Sequence, residues 1–226
     1  VFADYSRAAI RLGALMGVRV FHVMTHDSIG LGEDGPTLQP VEHVASLRAM
    51  PNMTVFRPCD GVEAAECWEL ALRNETGPST LALTRQKVKS ARTAHTDENL
   101  SAKGAYILSG AEGAQAVLIA TGSEVEIAMA AQAALAEKGV LVRVVSMPSM
   151  DLFDTQSESY QIETLGGDLP KIAIEAGVRF GWDRWIGRDG GFVGMNSFGA
   201  SAPYQDLYNH FNITADAVIA EVEKRV

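Results

Sequence analysis

The sequence predicts an α/β protein of two domains, each built on a mostly parallel sheet. Three observations lead to that class. Apolar strand-like runs alternate with amphipathic helical stretches in both halves of the chain. Between the halves, from Gln86 to Ser101, the composition shifts to Lys, Arg, Thr, His, Asp and Asn with few apolar residues, as in a linker or exposed loop. With 226 residues, 47% hydrophobic and 21% charged, the chain is long enough for two modest cores. The expected domains are 1–100, including a linker at 86–100, and 101–226.

The first half begins with Val1-Phe-Ala-Asp-Tyr5, which enters directly into a helical pattern. Ala8, Leu12, Leu15 and Met16 share one face, Arg7 and Arg11 another, and Gly17 is placed to end the helix. No initiator methionine, signal peptide or strand precedes it, so Val1 is expected to lie inside a domain. Val18 to Met24, apolar apart from Arg19 and His22, reads as a strand covered on both faces. Residues 41–50 read as a helix and Thr54-Val-Phe56 as a strand. Asp60 followed by Glu63 resembles a capping box opening a further helix, with Ala65, Trp68 and Leu72 as its apolar stripe and Glu69 and Arg73 at ion-pair spacing. Thr80 to Thr84 is the next strand, and Arg85 stands at its carboxyl end.

In the second half, strands are expected near 116–120, 141–146, 171–174 and 192–194. Ser123, with Glu126 three residues on, is placed to cap a helix that buries Ile127, Ala131, Ala134 and Leu135 and closes at Lys138-Gly139. A last helix starts at Thr214, with Ile213 and Val218 spaced for a hydrophobic staple. Phe180, Trp182 and Trp185 are expected to pack the second domain or a subunit contact.

Charge and composition narrow the function. A net charge of −9 argues against nucleic-acid and anionic-membrane partners, so any phosphate must be held by a local cationic pocket. Cys59 and Cys67 form neither a disulfide framework nor zinc-ligand spacing, which makes the reducing cytoplasm the default location. No stretch is long and apolar enough to span a membrane as a helix. Asn52, Asn74 and Asn212 each begin an N-x-Thr triplet, most simply by chance.

The densest chemistry lies in the loop Thr25 to Pro40, between a strand and a helix, where open α/β sheets bind ligands. Gly30-Leu-Gly-Glu-Asp-Gly35 matches the dinucleotide pattern, but Pro36 and Pro40 postpone the helix which that motif must open. His26, Asp27 and Ser28 contain the residue types of a hydrolase triad, yet sequence neighbours seldom converge in that geometry. A sugar and phosphate pocket is the third possibility: glycines admit ligand to the backbone, His26 offers a switchable donor and Asp34 an acceptor.

Thr25-His-Asp-Ser-Ile-Gly-Leu-Gly-Glu-Asp-Gly-Pro-Thr-x-Gln-Pro40 resembles the signature loop of transketolases. The likeness continues, in order, through Val41-Glu-His-Val-Ala-Ser-Leu-Arg48, Phe56-Arg-Pro-Cys-Asp60, Leu83-Thr-Arg-Gln86, Ala120-Thr-Gly-Ser-Glu-Val125, Val145-Ser-Met-Pro148, Glu175-Ala-Gly177 and Ser197-Phe-Gly-Ala-Ser-Ala-Pro203. It implies a pyrimidine-domain type of thiamine-diphosphate enzyme, incomplete at its N-terminus, followed by a transketolase C-terminal domain. By the same resemblance the function is transfer of a two-carbon ketol group from a ketose phosphate to an aldose phosphate, with thiamine diphosphate supplying the carbanion chemistry.

Residue by residue, the resemblance implies substrate binding by His26, Asp34 and Arg85. Arg85 would hold the phosphate and Asp34 would recognise a sugar hydroxyl. Phe2 would stack on the aminopyrimidine ring of the cofactor, Tyr5 would be a plain core aromatic, and Glu33 has no role. The catalytic glutamate, the diphosphate site and the divalent cation, magnesium or calcium, are implied to belong to segments outside this chain, which itself has no metal ligands. The full enzyme is implied to be a cytoplasmic homodimer, and this part alone inactive. One position departs from the family: Leu38 stands where transketolases carry a histidine, and leucine can neither donate nor titrate. The smaller subunit of a split transketolase or of a 2-oxoacid dehydrogenase first component, and a non-catalytic interaction module, are the alternatives.

Overall fold

In the computed structural model, which describes residues 1–110 and 112–226, a 3-10 turn at Phe2–Ser6 runs into helix α1 (Arg7–Met16). Gly17 ends α1 in the left-handed conformation, as expected. The buried side of α1 differs from the expected one. Ile10 and Ala14 pack with Ala3, Leu47, Met50, Met53 and Val55, whereas Leu12, Leu15 and Met16 are exposed. The helix carries apolar residues on two faces, and the small first domain covers only the face that meets its core.

Strand β1 (Phe21–Thr25), helix α2 (His43–Arg48), strand β2 (Thr54–Phe56), helix α3 (Gly61–Arg73) and strand β3 (Ser79–Leu83) complete the first domain. The sheet order is β1-β3-β2, parallel throughout, with β3 in the centre. Asp60 caps α3 by accepting from the amides of Val62 and Glu63. Glu63 reaches back one residue further than a capping box does, to the amide of Cys59 at 2.7 Å. Glu63 also accepts from the hydroxyls of Tyr106 and Ser146. This inward carboxylate rotates the helix so that Glu63, Cys67 and Ala71 are buried, while Ala65 and Leu72 face solvent and Trp68 is half-buried against Phe21. The expected stripe of Ala65, Trp68 and Leu72 is corrected accordingly, since hydrophobic spacing carries no trace of a buried acid.

The second domain contains strand β4 (Tyr106–Ser109), strand β5 (Ala116–Ala120), helix α4 (Glu124–Glu137), strand β6 (Val142–Ser146), and helices α5 (Met150–Asp154) and α6 (Glu158–Leu165). Strand β7 (Lys171–Val178), helix α7 (Asp183–Ile186), strand β8 (Gly191–Met195), and helices α8 (Tyr204–His210) and α9 (Ala215–Glu223) follow. Its sheet runs β4-β6-β5-β7-β8, and all neighbours are parallel except the edge strand β4, which was not foreseen. Alternate residues serve opposite layers. Leu118, Val144 and Ile174 pack with α4 and α9, while Val117, Ile119 and Val145 pack with Phe153, Trp182 and Trp185. Phe180, grouped with these tryptophans in the sequence, is 72% exposed. Ser123 makes no cap bond to α4, because its hydroxyl donates to Glu124 at 2.8 Å. Thr214 does cap α9, with Ile213 and Val218 both buried beside it.

Candidate functional site

The loop after β1 is shaped by its second and third residues. His26 lies in the left-handed region at φ 65°, with Nδ1 2.7 Å from the hydroxyl of Thr25. Asp27 turns inward, and Ser28 caps a 3-10 turn at Ile29–Leu31. A hydrolase triad therefore does not form, since each of the three side chains has a different partner. A β-carbon at Gly30 would lie 2.2 Å from the Gln86 amide oxygen, so a side chain there requires Gln86 to shift. Gly32 and Gly35 have φ of 86° and 82°, a region that favours glycine. The next α-helix starts only at His43, which removes the dinucleotide reading.

The second domain straps this loop down. Gln39 donates its amide to the carbonyls of Gly32 (2.6 Å) and Ala200 (2.8 Å), and Ser201 donates to the carbonyl of Glu33. Ser28 and Tyr208 hydroxyls lie 3.4 Å apart.

Two of the four expected site residues share a cleft. Phe2 and His26 line a hollow of about 140 Å³ together with Val23, Met24, Asp27, His43 and Leu47. Phe2 is 56% exposed, lies 6.3 Å from the ring of Tyr5, and shares its 3-10 turn with Asp4, which bonds His43 Nε2 at 2.7 Å. Tyr5 is 83% exposed rather than a core residue. Asp34 and Arg85 do not line this cleft. Asp34 is exposed at the tip of the turn between Gly32 and Gly35, and Leu38 is half-buried on the same loop. Arg85 is exposed, yet it leaves the same sheet edge as His26: Thr25 and Leu83 are direct partners in the parallel β1–β3 register. A larger hollow of about 310 Å³ lies under the linker between Lys89, Ala91, Val125 and Met129. The only thiol lining it, Cys59, is held protonated by burial and by the neighbouring Glu63.

Beneath the loop is a buried ionic network. Arg57, after β2, donates Nε to Asp27 at 2.8 Å, pairs with Glu124, donates to the carbonyl of Thr121 at 2.8 Å, and lies 3.8 Å from Glu175. Glu175 in turn accepts from both terminal guanidinium nitrogens of Arg48 (2.8 and 3.0 Å) and from the indole N–H of Trp182 (2.7 Å). Burial raises the pKa of Asp27, and the charge of Arg57 offsets this only in part. For Glu175 burial acts in the same upward direction, but Arg48 and Arg57 outweigh it and hold the carboxyl below its ordinary value. Among the described residues, no group of three or more His, Cys, Asp or Glu side chains could hold a metal ion.

A family profile described as the transketolase pyrimidine-binding domain matches residues 1–90, and one described as the transketolase-like C-terminal domain matches residues 104–214. The chain belongs to the transketolase family. A transketolase of Sinorhizobium medicae is 59% identical over 223 residues, covering 98% of this chain and 32% of its own length. The solved transketolase from Leishmania mexicana is 42% identical with a TM-score of 0.93, over 99% of this chain and 32% of that one. A transketolase structure from Pichia stipitis, in complex with sedoheptulose-7-phosphate, is 38% identical with the same TM-score and the same coverage. The chain thus spans about a third of the length of these relatives.

The transketolase segments recognised in the sequence also contain the charges that sequence reasoning overlooked. Arg57 lies within Phe56–Asp60, Glu124 within Ala120–Val125, and Glu175 opens Glu175–Gly177. A signal was present: Arg57 and Glu175 each interrupt apolar neighbours at a strand, where an ionised side chain is buried only if paired.

Proposed function

We propose that this chain is the C-terminal third of a transketolase that moves a two-carbon ketol group from a ketose phosphate to an aldose phosphate. The β1–β3 register supports it most directly, because it sends His26 and Arg85 from one sheet edge, where an acidic protein needs its local positive charge. Arg85 presents a planar fork to the sugar phosphate, His26 offers the sugar a switchable hydrogen-bond donor, and Asp34 accepts from a hydroxyl of one configuration while missing its epimer. A relative bound to a sugar phosphate supports the substrate class.

The Phe2 cleft suits one flat ring. Val23, Met24, Val44 and Leu47 form apolar walls, and the exposed face of Phe2 can exclude water from a stacked partner. Thiamine diphosphate, when bound with its ring there, supplies carbanion stabilisation that no side chain of this chain offers. By the family resemblance, the diphosphate and the divalent cation, magnesium or calcium, are assigned to the rest of the enzyme. The domain boundary is placed at 100/101, and the full enzyme is a homodimer of the cytoplasm, consistent with two free thiols and no disulfide.

Ketol transfer is measured for this chain alone and for the full-length enzyme, with thiamine diphosphate and magnesium. The chain alone is expected to be inactive, and Arg85→Leu in the full-length enzyme to raise KM for sugar phosphates roughly 10- to 100-fold. Leu38→His is expected to alter turnover or substrate preference, because it restores a donor on the substrate loop. Full turnover from the chain alone would contradict its assignment as a part, and an unchanged KM in Arg85→Leu would remove the phosphate role.

A further inference from the structure

The second sheet changes direction at β5, with β6 on one side and β7 on the other. In open parallel sheets such a switch point forms a crevice that receives a ligand. Here the first domain fills it. The side chain of Arg57, 1% exposed, lies against Thr121, Glu124 and Glu175. Gly122 makes the room, since a β-carbon there would sit 2.7 Å from the guanidinium carbon. The main chain joins in: the Arg57 amide donates to the carbonyl of Pro148 (2.8 Å), and its carbonyl accepts from the amide of Gly122 (3.0 Å).

Glu124 is the hub of this contact. One carboxylate oxygen accepts from Arg57 and from the amide of Ala176 (3.0 Å), the other from the hydroxyls of Ser123 (2.8 Å) and Tyr208 (2.7 Å). Two arms reach from it to the two strand ends of the first domain. Along one arm, Arg57 holds Asp27, the residue next to His26. Along the other, Ser123 accepts from the side-chain amide of Gln86 (3.1 Å), whose oxygen accepts from the Thr84 hydroxyl (2.5 Å), so the side chains on both sides of Arg85 are tied. Tyr208 braces both arms, its hydroxyl 3.4 Å from Ser28 and 3.5 Å from Gln86.

We infer that Glu124 and Tyr208 of the second domain are positioning residues for the sugar-phosphate site, fixing His26 through Arg57 and Asp27 and fixing Arg85 through Ser123 and Gln86. The inference rests on the function proposed above. His26 needs such support because a left-handed backbone at a non-glycine residue persists only where its surroundings over-determine it. Arg85 needs it because an exposed, flexible side chain can be aimed only by placing its backbone.

The test compares kcat/KM for a phosphorylated and an unphosphorylated aldehyde acceptor in the full-length enzyme. Tyr208→Phe and Gln86→Met are each expected to lower that ratio roughly 10-fold, mainly through KM for the phosphorylated acceptor. Arg85→Leu lowers the same ratio, and adding Tyr208→Phe to it is expected to cost nothing further, as for residues acting through one another. A ratio equal to that of the unmutated enzyme in both variants, or independent losses that multiply, overturns the positioning role while leaving the function intact. Absence of ketol transfer in the unmutated full-length enzyme overturns the function and this inference with it.

Discussion

Arg57 shows how much one residue can carry. It holds Asp27 of the first domain and Glu124 and Glu175 of the second, all nearly without solvent contact. Such a pairing contributes little over an apolar core of equal shape, yet breaking it is expensive because the partners remain buried. Arg57→Met removes the side chain that Asp27 accepts from and leaves Glu124 short of its cation. It is expected to destabilise the protein by about 3–5 kcal/mol, read from urea unfolding. A loss below about 1 kcal/mol would mean that the carboxylates relax into other contacts. The guanidinium itself cannot be titrated away, since three carboxylates outweigh its burial and keep its pKa above the ordinary value.

Among the elements, α1 and α3 depart most from their sequence patterns, for opposite reasons. Helix α1 shows its larger apolar residues to solvent, with Leu15 at 72% exposure, because its core contact is made by Ile10 and Ala14. Leu15→Lys is therefore expected to change stability by less than about 0.5 kcal/mol while reducing self-association in light scattering. A marked fall in the unfolding midpoint would place Leu15 in a core after all. Helix α3 instead turns acids toward the linker. Glu66 accepts from the amide (3.1 Å) and hydroxyl (2.7 Å) of Ser101 and pairs with Arg92, and Glu69 accepts from Asn99 at 2.9 Å. The polar segment after Gln86 is thus tied along one helix face, although its composition reads as loose linker.

Across the whole molecule the two sheets are joined by buried charge as well as by packing, and this makes stability depend on pH in two senses. Burial raises the pKa of Glu63, so its contribution is fully present below the ordinary carboxylate range and is lost as pH rises through the raised value. Glu175 is lowered by Arg48 and Arg57 against its burial, so its contribution is present above the ordinary range and lost as pH falls through the depressed value. Glu63→Gln is expected to flatten the decline of the melting temperature as pH rises above the ordinary carboxylate range and to leave the acid limb in place. Parallel profiles for the two proteins would show that Glu63 does not carry that decline.

Local periodicity and the collinear motifs were enough to place most strands, the parallel sense of both sheets, the C-cap at Gly17, the N-caps at Asp60 and Thr214, and the loop from Thr25 to Pro40 as the region to watch. Those features depend on side-chain alternation, on glycine conformation and on hydrogen bonds within a few residues, all of which are written in neighbouring positions. The pairing of Arg57 with Asp27, Glu124 and Glu175, the antiparallel edge strand β4, the diversion of Ser123 from its cap and the rotation of α3 toward Tyr106 and Ser146 emerged only with the folded chain. Each joins residues far apart in sequence, or responds to such a join, and the energy of a buried charge is set by which partners the fold brings within a few ångströms of it.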